Sequence, residues 1–149
     1  MIIDIAVNGH PVKPFIIDSG ANITAVYEAH VSSLDLSDSG NSTSVSGLVA
    51  TAVRPLAEDL ELKIGTRNFE RDRVVILKNP VHPTDAVGLL GVDILGEYAM
   101  LFNKTDMTAS LIPSQELNRG KFSGWRSIPL RHRVGSFPDK GLYLSLIHI

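Results

Sequence analysis

The run Phe15-Ile16-Ile17-Asp18-Ser19-Gly20-Ala21 constrains this chain more than any other stretch. Three apolar residues lead straight into a carboxylate, a hydroxyl and a glycine. Consecutive apolar positions fit a strand covered on both faces. A carboxylate at the buried end of such a strand is costly unless its charge is paired or hydrogen-bonded. Ser19 brings a hydroxyl that can bond, and Gly20 admits a positive φ or a close backbone neighbour. Asp18 is therefore the first candidate functional group, because carboxylates held this way have their pKa values pushed to catalytic use.

The rest of the chain reads as many short strands. Ile2 to Val7 is strand-like, and Asn8-Gly9 is the dipeptide that favours a tight hairpin turn. The return arm, about Val12 to Ile17, delivers Asp18; Pro11 and Pro14 suit an edge or an irregular start better than a central strand. Ile23 to Tyr27 predicts a strand and Glu28 to Ser33 a helical turn, whereas the Ser, Asp, Asn and Gly of Asp35 to Ser44 predict a surface loop. Val45-Ser46-Gly47-Leu48 lies where strand-like alternation surrounds one glycine, the pattern of a hairpin tip. Leu60, Leu62 and Ile64 alternate with charges, Gly65 to Asn68 turns the chain, and Val74 to Leu77 predicts a buried strand. Lys78 to Asp85 reads as loop, Asp93 as the cap of a helix over about Ile94 to Tyr98, and Ala99–Asn103 with Thr108–Ile112 as a closing hairpin. Short strands, little helix and regularly spaced turns predict an all-β fold, a closed or folded sheet.

Bulk properties narrow the function classes. A chain of 149 residues suffices for one domain with a core and is too short for two of ordinary size. A net charge of −2 gives no reason to expect nucleic acid as a partner. No apolar run is long enough for a membrane-spanning segment, and the sequence shows no basic-then-apolar signal-peptide pattern before its first strand. With no cysteine there is no thiolate nucleophile, disulfide or zinc-thiolate site. His10, His30, His82, His132 and His148 are scattered without metal-ligand spacing, so no metal and no cofactor is expected. Neither a Gly-x-Ser-x-Gly elbow nor a phosphate-cradling loop is present. Arg126, Arg131 and Arg133 around His132 read as a solvated basic face. Asn22, Asn41 and Asn103 stand in glycosylation sequons, which carry meaning only in a glycosylating compartment; localisation stays open.

Asp18-Ser19-Gly20-Ala21 resembles the Asp-[Thr/Ser]-Gly-Ala signature of aspartic proteases. Val87-Gly88-Leu89-Leu90-Gly91-Val92-Asp93-Ile94-Leu95 is similar to the segment that crosses beside the active-site loop in retropepsin-like domains and runs into their short helix. The resemblance spans about Ile2 to Pro113. It implies a retropepsin-like closed acid-protease barrel, with Asp18 catalytic and Ser19, Gly20 and Ala21 supporting the active-site loop. Leu89, Leu90 and Gly91 would form the crossing segment. Val45, Ser46, Gly47 and Leu48 would belong to the flap, the hairpin that covers bound peptide. The family's retroviral members commonly carry arginine where Val92 stands, so their buried ion pair is not expected here.

The implied activity is aspartic-type endopeptidase, acting on a peptide or protein substrate. Its chemistry needs two carboxylates sharing one proton, because like charges a few ångströms apart cannot both ionise. Asp38 also precedes Ser39-Gly40, but in a polar stretch with no buried strand before it, and reads as turn chemistry. The second carboxylate must then come from another lobe, either a homodimer's second Asp18 or a tandem domain. Two other readings stand beside this one. The chain could be a catalytically silent member of the fold that binds peptides or mediates assembly, or a generic β-barrel whose Asp-Ser-Gly is coincidence.

Residues 1–113 are thus expected to form the protease-like domain, and 114–143 a linker leading into a further segment or second domain. Met1 directly abuts a strand-like Ile2, as an internal methionine of a longer gene would. Leu144 to Ile149 matches what the string CTGTCTCTTATACACATC, a transposase adapter used in sequencing libraries, would encode. Residues 144–149 are therefore expected to be an assembly scar, the other reading being a genuine apolar C-terminal strand.

Overall fold

The computed structural model describes residues 1–46, 51–103, 105, 106 and 108–116. Eleven strands dominate it: β1 Ile2–Val7, β2 Lys13–Ile17, β3 Ala25–Tyr27, β4 Ser37–Ser46, β5 Thr51–Glu58, β6 Leu60–Ile64, β7 Arg67–Arg71, β8 Val74–Leu77, β9 Gly88–Leu90, β10 Tyr98–Asn103 and β11 Thr108–Pro113. One short helix, α1 (Val92–Leu95), and 3-10 turns at Glu28–His30, Ser32–Leu34 and Ser114–Glu116 complete the described elements. The fold is mainly β, as the spacing of short apolar runs requires. The linker and basic cluster expected beyond residue 116, the 144–149 segment and the hairpin tip at Gly47 and Leu48 lie outside the described residues.

Nine strands pair in the order β4-β5-β8-β3-β9-β2-β1-β6-β7, and β10 pairs with β11 as a separate ribbon. One buried cluster draws Ala57 from β5 near one end of this order and Phe69 from β7 at the other, with Ile5, Phe15, Val26, Leu62, Val74 and Leu90 between them. A sheet whose two ends share one core must fold over on itself. That is how a chain of short strands buries its apolar faces without a second layer of helices.

Local chemistry explains most of the boundaries. Asn8 and Gly9 have φ of 46° and 75°, the paired positive values of the turn their sequence predicts, and the His10 N–H closes it on the Val7 carbonyl at 2.8 Å. Leu60, Leu62, Ile64 and Phe69 point inward from β6 and β7 while the charges between them face solvent.

Three expectations need correction. The polar stretch from Asp35 is not a loop: Ser37–Ser46 forms the ten-residue strand β4, which pairs with β5 from Ser37↔Glu58 to Ser46↔Thr51. Backbone ladders are blind to side-chain polarity, and β4 ends the order of the described strands, with most of its side chains exposed, so a polar sequence is tolerated there. The turn chemistry read at Asp38 survives as a kink within it. Asp38 Oδ1 accepts the Gly40 N–H at 2.9 Å, Gly40 has φ 73°, and the register shifts between Asp38 and Ser42. Second, β2 is an interior strand although Pro14 lies in it. The Pro14 carbonyl accepts the Val87 N–H at 2.8 Å, and pairing with β9 begins only at Phe15↔Gly88, so the missing donor falls at the start of that ladder. Third, only Phe15 of β2 is fully buried; Ile16 and Ile17 are half-buried in the single chain.

Candidate active site

Asp18 sits at the end of β2, on a loop that returns to the sheet as β3. Between those arms runs β9, parallel to β2 through Ile17↔Leu90 and antiparallel to β3 through Ala25↔Leu89. Such threading demands close backbone approach, and Gly88 supplies it. A Cβ there would lie 2.2 Å from the Ala25 carbonyl oxygen and 2.8 Å from the Phe15 ring. Gly91 is as confined, with Ile23 backbone atoms 2.6 and 2.8 Å from where its Cβ would be. The glycines of the crossing segment are thus packing requirements of the loop beside it.

Four consecutive residues at the junction of β9 and α1 grip the Asp18 loop. The Leu90 carbonyl accepts the Asp18 N–H at 3.0 Å, and the Val92 N–H donates to the Ala21 carbonyl at 2.9 Å. The Gly91 N–H donates to Thr24 Oγ1 at 3.1 Å, and that hydroxyl donates to Asp93 Oδ1 at 2.8 Å. Inside the loop, Asp18 Oδ1 accepts the Gly20 N–H at 2.9 Å and the Ala21 N–H returns to the Asp18 carbonyl at 3.2 Å. Gly20 is exposed at the tip, and a Cβ on it would stand 3.2 Å from the Asp18 carboxylate. Asp18, Ser19 and Ala21 are half-buried, so the carboxylate is anchored by backbone yet reachable.

The sequence-predicted residues fall together unevenly. Asp18, Ser19, Gly20 and Ala21 form the loop, with Leu90 and Gly91 directly beneath it. Val45, on the arm of the β4–β5 hairpin, and Leu89, on the crossing segment, pack with Ile23 and Leu77 against a small apolar cluster of Ala25, Leu56 and Val75. Ser46 is exposed at the end of β4, its Oγ 3.1 Å from Thr51 Oγ1.

Asp93 does not cap α1. Gly91 occupies the N-cap position without a side-chain bond, the helix is Val92–Leu95, and Asp93 lies in its first turn. Its carboxylate turns instead to Thr24 and to Arg71, whose Nε is 3.7 Å from Asp93 Oδ2. Val92 carries no charge, as expected, but an ion pair exists one residue on, with its cation supplied from β7.

Thr24, Arg71 and Tyr27 were missed as site residues. Thr24 is the one fully buried polar residue among the described residues, and a hydroxyl inside the run Ile23 to Tyr27 was a signal. Arg71 gave none, because nothing in its neighbours points to α1. Tyr27 ends β3; burial pushes its hydroxyl above the ordinary value of 10.0, and the Asp18 charge adds to the rise. It is a neutral phenol within electrostatic reach of the candidate carboxylate.

Among the described residues no group of acidic, histidine or cysteine side chains is arranged to hold a metal ion, and no helix is long and apolar enough to cross a membrane.

Comparison with known proteins bears on the fold and the family. The fold is similar to that of EIAV protease, solved in complex with the inhibitor HBY-793, with a TM-score of 0.50 and 19% identity. The match covers 64% of this chain and 85% of that one; at such identity the likeness is one of fold. No curated protein matches the sequence. The family model for aspartyl proteases matches residues 3–94, which include the Asp18 loop and the whole crossing segment through Ile94. This chain belongs to the aspartyl protease family.

Proposed function

We propose that this protein is an aspartic-type endopeptidase in which Asp18 supplies one carboxylate of a dyad and a second lobe supplies the other. The carrying observation is the anchored but reachable Asp18, held by the 90–93 junction in a loop with Gly20 at its exposed tip. In the dyad one carboxylate takes a proton from water as its oxygen attacks the peptide carbonyl carbon. The other, protonated, donates to the carbonyl oxygen. Collapse of the resulting diol breaks the C–N bond and returns a proton to the leaving amine. The two groups titrate as a unit, because the first ionisation opposes the second.

Ser19 would brace the loop against its counterpart, and Gly20 would let the two loops meet. Substrate would lie extended beneath the β4–β5 hairpin, bound by strand-type backbone hydrogen bonds. Val45, Ile23, Leu77 and Leu89 are only partly buried and offer it an apolar wall. The second lobe is a further copy of the chain in the simplest case, which places the two Asp18 residues across a two-fold axis.

The test is cleavage of a mixed peptide pool by the purified chain from pH 3 to 8, repeated with Asp18→Asn over a dilution series. Acid-shifted cleavage that vanishes with Asp18→Asn, and specific activity that falls on dilution, are expected. Equal cleavage by Asp18→Asn would overturn the reading. Activity independent of dilution would replace the paired copies by a second carboxylate within the same chain. Peptide binding that survives Asp18→Asn, with no cleavage by either protein, would instead favour a silent peptide-binding domain.

A further inference from the structure

Arg71 reaches across from the end of β7 to α1 and touches Asp93 twice. Its Nη2 donates to the Asp93 main-chain carbonyl at 2.5 Å, and its Nε stands 3.7 Å from Asp93 Oδ2. The side chains are 29% and 19% exposed, so the pair is neither free in water nor sealed. Asp93 Oδ1 is committed to Thr24, whereas buried Oδ2 has no hydrogen-bond partner among the described residues. A half-satisfied carboxylate is a poor source of stability, since desolvation offsets most of the attraction. What the arrangement does supply is directional. Asp93 faces Thr24 through Oδ1 and the Arg71 guanidinium through Oδ2 and its main-chain carbonyl.

We propose that Arg71 and Asp93 are positioning residues for Asp18, a pair that sets the register of the Asp18 loop through Thr24. The route is short and every link is a contact. Arg71 donates to the Asp93 main-chain carbonyl and sets its charge beside the carboxylate; Asp93 accepts from the buried Thr24 hydroxyl; Thr24 accepts the Gly91 N–H. Gly91 lies between Leu90 and Val92, which hold Asp18 and Ala21. Displacing the first turn of α1 would therefore move both ends of the loop, and small displacements of a reacting group are costly in rate. The pair touches neither substrate nor the reacting atoms. Its role in catalysis rests on the protease reading of Asp18, while its role in holding the loop does not.

The experiment compares the full chain with Arg71→Met, Arg71→Lys, Asp93→Asn and the double variant Arg71→Met/Asp93→Asn, in two readouts. The first is kcat and KM, normalised to active sites by titration with a tight-binding statine-type inhibitor. Arg71→Met is expected to lower kcat about tenfold or more with KM changed less than about twofold. The double variant should lose no more than Arg71→Met alone, because the two act through one link. Arg71→Lys, which keeps the charge but not the fork, should recover part of the loss. The second readout is amide hydrogen exchange, with Asp18, Gly91 and Val92 expected to exchange about tenfold faster in Arg71→Met while Ile5 and Ile76 in the core keep their rates.

Unchanged kcat per active site together with unchanged exchange at those three amides would overturn the proposal. So would uniformly faster exchange at all five, which marks general destabilisation. If Arg71→Met does not fold, Arg71→Lys and Asp93→Asn decide by the same criteria. If the unaltered chain cleaves nothing, the protease reading fails separately and the exchange data alone decide whether the pair holds the loop.

Discussion

The Asp18 loop and the β4–β5 hairpin are built by opposite means. The loop is short and is gripped from beneath by residues 90–93, around glycines whose neighbours leave no room for a Cβ. The hairpin arm is long, polar and exposed, pairs with β5 alone among the described strands, and owes its form to a backbone ladder broken by a bulge at Asp38–Ser42. One region is defined by where side chains cannot go, the other by hydrogen bonds that do not depend on side chains. The loop should therefore respond sharply to single substitutions. The hairpin should tolerate them, except at Val45, where the arm meets the apolar cluster.

The comparison can be broken most directly at Asp18. Asp18→Asn should abolish cleavage, by about a thousandfold or more for loss of an acid–base carboxylate, with the thermal midpoint nearly unchanged. A cleavage assay beside a melting curve checks both halves. Next is Gly88→Ala, expected to destabilise the fold by about 3 kcal/mol because its Cβ would meet Ala25 backbone and the Phe15 ring; denaturant unfolding measures it. If Gly88→Ala proved harmless, the crossing would be looser than drawn and the contrast with the hairpin would dissolve.

Smaller effects sharpen the picture. Val45→Ala should cost about 1 kcal/mol or less and raise KM for peptide more than it lowers kcat, by steady-state kinetics. Tyr27 links the loop to pH. Its folded pKa is raised, so its stabilising contribution is complete below the unfolded value of 10.0 and is lost as pH rises through the folded one. Melting curves should therefore fall more steeply above pH 10 for the native chain than for Tyr27→Phe. At the bottom of the scale, Ser44→Ala on the exposed hairpin arm should change stability by about 0.5 kcal/mol or less.

Much of the fold was legible from residues because burial writes itself into period and composition. Leu60, Leu62 and Ile64 against Glu61 and Lys63 announce a half-buried strand. Asn8-Gly9 announces its turn, and Asp18-Ser19-Gly20 with Leu89-Leu90-Gly91 marks the two halves of the loop support. Ser37–Ser46 was illegible as a strand because its backbone ladder makes little demand on side chains that face solvent. Asp93 was misread as a cap because a carboxylate near a helix start has a local use that sequence suggests, while its actual partners are distant in the chain. Thr24 lies 69 residues away and Arg71 22.

By itself, then, the sequence determined the strand-rich class, the position of the candidate carboxylate at the end of β2 and the glycines on which its loop depends. These follow from local rules of burial, turn geometry and the absence of a side chain. The tertiary structure alone decided which residues hold that carboxylate in place. Threading β9 between β2 and β3 brings residue 24 against 91 and 93, and the return of β7 brings Arg71 to α1. Such contacts come from the path of the chain through space, which no local pattern records.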